Sequence, residues 1–88
     1  MIDKSYEIAG AEGLHARPAS LLVGTVNAFQ SDITLEHDGK KVNLKSILGV
    51  MSLGVPSGAV IKIAADGKDE AEVMAKVDEI MKSEGLAN

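Results

Sequence analysis

Asp32-Ile33-Thr34-Leu35-Glu36-His37-Asp38-Gly39-Lys40-Lys41-Val42-Asn43-Leu44 is the stretch on which the fold turns. Ile33 and Leu35 alternate with Asp32, Thr34 and Glu36, which is the period of a strand with one buried face. Asp38-Gly39 is a strong signal for a two-residue hairpin turn, because both positions need a positive φ. Lys40 to Leu44 then returns with Val42 and Leu44 on one side. Antiparallel pairing at this point, with one apolar face, asks for a sheet covered on one side only. His37 stands at the turn with no second ligand beside it and reads as a surface residue.

The elements on either side complete that sheet. Downstream, Ser46 is a good N-cap, and Gly54 with Pro56 marks a stop. Between them Ile47, Leu48, Val50, Met51 and Leu53 surround a helix of about two turns on nearly every side. Either neighbouring helices cover all of them, or some are exposed as a partner surface. Ala59 to Ala65 is a strand with Ile61 and Ile63 facing in. The last helix is expected from Asp69, with Glu72 completing a capping box. Val73, Val77 and Ile80 form its core stripe beside Met74 and Met81, and Gly85-Leu86 closes it as a left-handed cap. Upstream, Ile2 to Ile8 is a strand whose inward positions are Lys4, Tyr6 and Ile8. Ala9 to Gly13 is a loop. A helix from about Ala16 to Asn27 places Ala19, Leu22, Val23 and Val26 in the core, with Phe29 closing the stripe. Arg17, Leu21, Gly24 and Ala28 line its second face. The order βαββαβα predicts an α+β domain over residues 1–88, a mostly antiparallel four-stranded sheet with helices on one face.

Composition limits the function. Cysteine is absent, so disulfides, zinc thiolates and a cysteine nucleophile are excluded. The formal charge is −4 and the aromatics are one Tyr and one Phe. Nucleic acid needs phosphate neutralisation and stacking platforms, and this chain offers neither. There is no membrane-spanning run and no export signal, so the cytoplasm is the expected compartment. His15 and His37 are far apart and no cluster has metal-ligand spacing, so no metal site is expected.

One short segment carries chemistry: Gly13-Leu14-His15-Ala16-Arg17-Pro18. Proline fits the first helical turn, where amides lack intrahelical partners. His15 is therefore expected at a helix N-terminus, where free N–H groups and the helix dipole favour anions. The unprotonated nitrogen of a neutral imidazole attacks phosphorus without a base. The phosphoryl dianion formed there could be held by the amides and the Arg17 fork. The alternative is a plain capping histidine.

Gly13-Leu14-His15-Ala16-Arg17-Pro18-Ala19 resembles the active-site signature of the HPr family, the histidine-containing phosphocarriers of the phosphoenolpyruvate-dependent sugar phosphotransferase system. Val42-Asn43-Leu44-Lys45-Ser46-Ile47-Leu48-Gly49-Val50-Met51-Ser52-Leu53-Gly54 resembles that family's second signature in its Gram-positive form. The likeness extends to Lys82-Ser83-Glu84-Gly85-Leu86 and so covers essentially the whole chain.

The resemblance implies an open-faced β-sandwich with three helices on one side of the sheet. It implies that His15 takes a phosphoryl group on Nδ1 from enzyme I and passes it to the IIA domains of sugar permeases, with Arg17 steadying it. The protein would be a carrier without turnover of its own, and no cofactor is implied. Ser46 would be phosphorylated by HPr kinase/phosphorylase, and the product would bind catabolite control protein A. A phosphate on an N-cap serine is stabilised by the helix end, so such regulation would act through surface charge. Ile47, Leu48 and Met51, with Ala16, Ser20, Leu21 and Gly24, would form the docking patch. A regulatory module acting only through Ser46 is the alternative, against which His15 itself speaks. Glu12, Gly24, Ala28, His37 and Leu48 depart from the family's usual residues. Glu12 adds a negative charge near His15, and the set bears on partner docking.

Overall fold

The computed structural model describes residues 1–87. Four strands, β1 (Ile2–Glu7), β2 (Asp32–His37), β3 (Lys40–Asn43) and β4 (Val60–Asp66), form one antiparallel sheet in the order β1-β4-β2-β3. Three helices, α1 (Ala16–Val26), α2 (Ile47–Ser52) and α3 (Glu70–Ser83), complete the order βαββαβα.

Register explains which face is covered. Tyr6 lies opposite Ile61, Leu35 opposite Ile63 and Ile33 opposite Ala65, and all of these are buried. Their neighbours Asp3, Ser5, Lys62, Asp66 and Asp32 point the other way and are exposed. A period of two thus separates an apolar face, under the helices, from an open polar face. The core is closed by Leu22 and Val26 of α1, Val50 of α2, and Val73, Val77 and Met81 of α3, each at most 2% exposed. The hairpin turn is as its sequence requires. Asp38 and Gly39 have φ of 52° and 79°, the type I′ signature whose twist matches the flanking strands.

Helices α1 and α2 run antiparallel, pinned at both ends. The Leu14 amide, just before α1, donates to the Val55 carbonyl just after α2, at 3.0 Å. At the other end, Asn27 caps α1 and its Nδ2 donates to Val23 O at 2.7 Å and to Lys45 O at 3.1 Å. Lys45 Nζ reaches back to the Phe29 carbonyl at 2.7 Å.

Four details differ from the sequence reading. The α3 capping box does not form. Asp69 is the N-cap residue, but its carboxylate accepts the Gln30 amide at 2.8 Å, the Ser31 amide at 3.0 Å and the Ser31 hydroxyl. These three donors hold it away from its own helix. Glu72 is exposed, and Glu70 accepts the Gly67 amide at 3.3 Å instead. Lys4, expected to face inward, is exposed, because its ammonium extends to Asp78 on α3. Pairing of β1 with β4 ends at Glu7, and Ile8 bridges to Ala87. Ile80 and Phe29 are only partly buried against the core. The α3 terminus is as expected. Gly85 has φ of 64°, Leu86 N donates to Met81 O at 2.9 Å, and Gly85 N donates to Lys82 O at 3.2 Å, a Schellman motif.

Candidate functional site

His15 is the N-cap of α1, in extended conformation with φ of −90° and ψ of −178°. Its carbonyl accepts the Ala19 amide at 3.1 Å, the first bond of the helix. Among the described residues no side chain caps this end. Among the described residues the amides of Ala16 and Arg17 have no hydrogen-bond partner. Pro18 has no amide to leave unpaired and is buried, anchoring the turn. The end of α1 thus presents free N–H groups beside an exposed imidazole, the arrangement that receives anions.

The imidazole is 44% exposed on its side chain. Its Nδ1 lies 3.2 Å from the Gly13 carbonyl oxygen, and its Nε2 lies 3.2 Å from Oε2 of Glu12. A shallow hollow beside it is lined by Gly10, Glu12, Gly13 and the α3 cap residues Glu84 to Leu86. The Ala9 amide donates to Leu86 O at 2.8 Å, so the C-terminal turn is fixed against the loop that carries the site. Arg17 is exposed and forms no ion pair among the described residues. Its guanidinium is left available to an incoming anion.

Ser46 caps α2, and its Oγ accepts the Gly49 amide at 3.1 Å. It lies beside the C-terminal end of α1, whereas His15 is at the other end. With 1.5 Å per residue, the length of α1 separates the two by about 16 Å.

The apolar residues of α2 divide. Val50 is in the core, Ile47 and Met51 are half-buried, and Leu48 is 81% exposed. On α1, Ala16, Ser20 and Gly24 are exposed and Leu21 is 43% exposed. Ala16 and Ser20 share the side on which Asn27 meets α2. Gly24 instead borders a hollow between α1 and α3, with Ala28, Lys76 and Ile80. A Cβ at Gly24 would touch nothing within 4 Å among the described residues, so no contact with them requires the glycine. His37 is a half-buried strand-end residue away from the site. Among the described residues no three His, Cys, Asp or Glu groups are placed to hold a metal ion, and no helix is long and apolar enough to cross a membrane.

The sequence places the Glu12 charge near His15, but not its contact with Nε2 or the approach of the C-terminal turn. The three-residue spacing of Glu12 and His15 was the available signal, but it places side chains together only once the loop conformation is known.

A four-stranded open-faced sandwich with an exposed histidine at a bare helix N-terminus defines a class of small α+β proteins with one helix end left open to solvent. Residues 2–83 match the family described as PTS HPr component phosphorylation site, and the chain belongs to this HPr phosphocarrier family of the sugar phosphotransferase system. The structure is similar to that of a Mycoplasma histidine-containing phosphocarrier protein, with 37% identity, 99% of each chain covered and a TM-score of 0.96. It is also similar to HPr from Thermoanaerobacter tengcongensis, with 48% identity over 94% of this chain and 93% of that one, TM-score 0.89. A phosphocarrier protein HPr from Bacillus anthracis is 40% identical over 90% of this chain and 94% of that one, TM-score 0.82.

Proposed function

We propose that the chain, as one domain over residues 1–88, is a cytoplasmic phosphoryl carrier that holds its cargo on Nδ1 of His15. The observation that carries this reading is the bare N-terminus of α1, with an exposed imidazole beside the unpartnered amides of Ala16 and Arg17. The Nδ1 lone pair turns away from the Gly13 carbonyl and attacks phosphorus on phosphorylated enzyme I. The nitrogen–phosphorus bond of the donor breaks, and its electron pair returns to the donor. The Ala16 and Arg17 amides and the Arg17 guanidinium then face the phosphoryl oxygens. Because these groups are exposed, they hold the dianion loosely, as a relay requires before the IIA domain of a permease takes it.

Ser46 is the regulatory site in this reading, modified by HPr kinase/phosphorylase. Phosphate there gains the amides at the α2 end in place of the Gly49 contact, so the fold persists and the charge of the docking surface changes. Catabolite control protein A would recognise that form. Ile47, Leu48 and Met51, with Ala16, Ser20, Leu21 and Gly24, supply the apolar contacts for the partners.

The test is incubation with enzyme I and phosphoenolpyruvate followed by intact mass. The expected result is one acid-labile, base-stable phosphoryl group, absent in His15→Ala. Uptake that persists in His15→Ala, or no uptake by the wild type, overturns the assignment.

A further inference from the structure

We infer that Glu12 is a positioning residue for His15: its carboxylate accepts the Nε2–H, keeps Nδ1 as the bare nitrogen of the neutral ring, and balances the charge the ring gains when Nδ1 is phosphorylated. The inference rests on the phosphocarrier reading and deepens it.

A neutral imidazole carries one proton, on one nitrogen or the other. Here both nitrogens face an oxygen, Nδ1 the Gly13 carbonyl and Nε2 the Glu12 carboxylate, each at 3.2 Å. A proton on Nδ1 would bond a neutral carbonyl and leave the Nε2 lone pair against a carboxylate. A proton on Nε2 makes a charge-assisted bond, roughly twice as strong as a neutral one. The second arrangement leaves the Nδ1 lone pair facing the Gly13 carbonyl, but that oxygen is neutral, so this arrangement is still the better one, and it leaves Nδ1 unprotonated. Among the described residues, the other charged groups at this end are Glu84, which lines the hollow, and Arg17 on the first turn of α1. Glu84 forms no ion pair with the ring.

The same contact acts on the product. When the Nδ1 lone pair bonds phosphorus, the donor's bond breaks and no proton moves. The Nε2–H stays, so the ring becomes a cation bearing a phosphoryl dianion. Glu12 faces that cation through Nε2, while the phosphoryl leaves the ring on its other edge. On transfer to the acceptor the electron pair returns to Nδ1 and the ring is neutral again. The contact is solvent-exposed, with Glu12 73% accessible, so its effect is a few-fold and not a switch.

The experiment joins nitrogen-15 NMR of the His15 ring, in the unphosphorylated protein at about pH 8.5 where an ordinary histidine is neutral, with single-turnover transfer from phosphorylated enzyme I. Wild type is expected in the Nε2–H tautomer. Glu12→Ala moves it toward a mixture and slows transfer about two- to fivefold, while Glu12→Gln, which keeps an acceptor oxygen, falls between. An unchanged tautomer in Glu12→Ala overturns the inference, and so does a changed tautomer with unchanged transfer. Wild type that takes no phosphoryl overturns the phosphocarrier reading itself, whereas the ring spectra are read without it.

Discussion

Gly13 packs against Val55 so closely that a Cβ on Gly13 would stand 2.5 Å from the Val55 carbonyl oxygen and 2.8 Å from backbone atoms of Pro56 and Ser57. That contact joins the loop before α1 to the loop after α2. It also aims the Leu14 amide at Val55, and so sets where His15 begins its helix. Gly13 has φ of 66°, a second reason for glycine.

Gly13→Ala is therefore expected to destabilise the protein by about 3 kcal/mol, the sum of a left-handed residue and an overpacked backbone contact. Gly10→Ala is the comparison. Its φ is 94°, but a Cβ there meets nothing within 4 Å among the described residues, so it carries only the conformational cost. Urea denaturation of both variants checks this. Equal losses would show that the approach of Val55 does not matter.

Asp69 ties the end of α1's loop to the start of α3 through the Gln30 and Ser31 amides and the Ser31 hydroxyl. Those donors, the Ser31 hydroxyl first, hold its carboxyl below the usual range. Asp69→Ala should lower the melting temperature clearly more than Glu72→Ala, which touches an exposed residue. If the two fall alike, Asp69 acts only as a helix-end charge.

The contrast between Asp38-Gly39 and Asp69 shows what sequence could and could not convey. The turn was legible because its two residues fix their own φ, and the stripe of Ala19, Leu22, Val23 and Val26 because burial follows the helical period. Pro18 and Ser46 placed the starts of α1 and α2, since a missing amide and a capping hydroxyl act within one turn. Asp69-x-x-Glu72 looked like a local box, but the better donors came from Gln30 and Ser31, far along the chain. The Glu12 contact with His15 depends on a loop bent at Gly10 and Gly13. The half-exposed state of Ile47 and Met51 depends on how α1 and α2 pack. Such facts are tertiary, and no local pattern encodes them.

Asp78 on α3 accepts from Lys4 and, at 2.9 Å, pairs with Lys82. These bonds, Lys4 first, lower its carboxyl to about 2. A group depressed in the folded state stabilises fully above its unfolded value near 4, and that contribution is lost as pH falls from there through about 2. The lysines are exposed, so the effect is about 1 kcal/mol. Tyr6, whose hydroxyl donates to the same carboxylate at 3.3 Å, is pushed up to about 12 by burial and by that charge. Its contribution is complete below pH 10 and is lost as pH rises toward 12. Asp78→Asn should flatten the acid limb of a stability–pH curve. Tyr6→Phe should flatten the alkaline one. A curve that keeps both limbs in the variants refutes the assignment.

Arg17→Ala should leave stability within about 0.5 kcal/mol of wild type, because the side chain is exposed and holds no ion pair among the described residues. Phosphoryl transfer should slow, and Arg17→Lys should recover part of the rate, since an ammonium offers charge without the planar fork. A large fall in melting temperature would make Arg17 structural instead.

Leu48 is 81% exposed on the outer side of α2, while Val50 of the same helix is buried. A large apolar side chain held in water contributes almost nothing to folding, yet it offers area to a partner. Leu48→Asp should therefore leave the urea midpoint nearly unchanged and weaken binding to enzyme I. The effect should be about tenfold or more, because a carboxylate would be desolvated in an apolar contact. Val50→Ala reverses the pattern, losing about 2 kcal/mol or more of stability by opening a cavity. Titration of enzyme I with both variants, beside their unfolding curves, separates docking from packing. Undiminished affinity in Leu48→Asp would move the partner surface off α2.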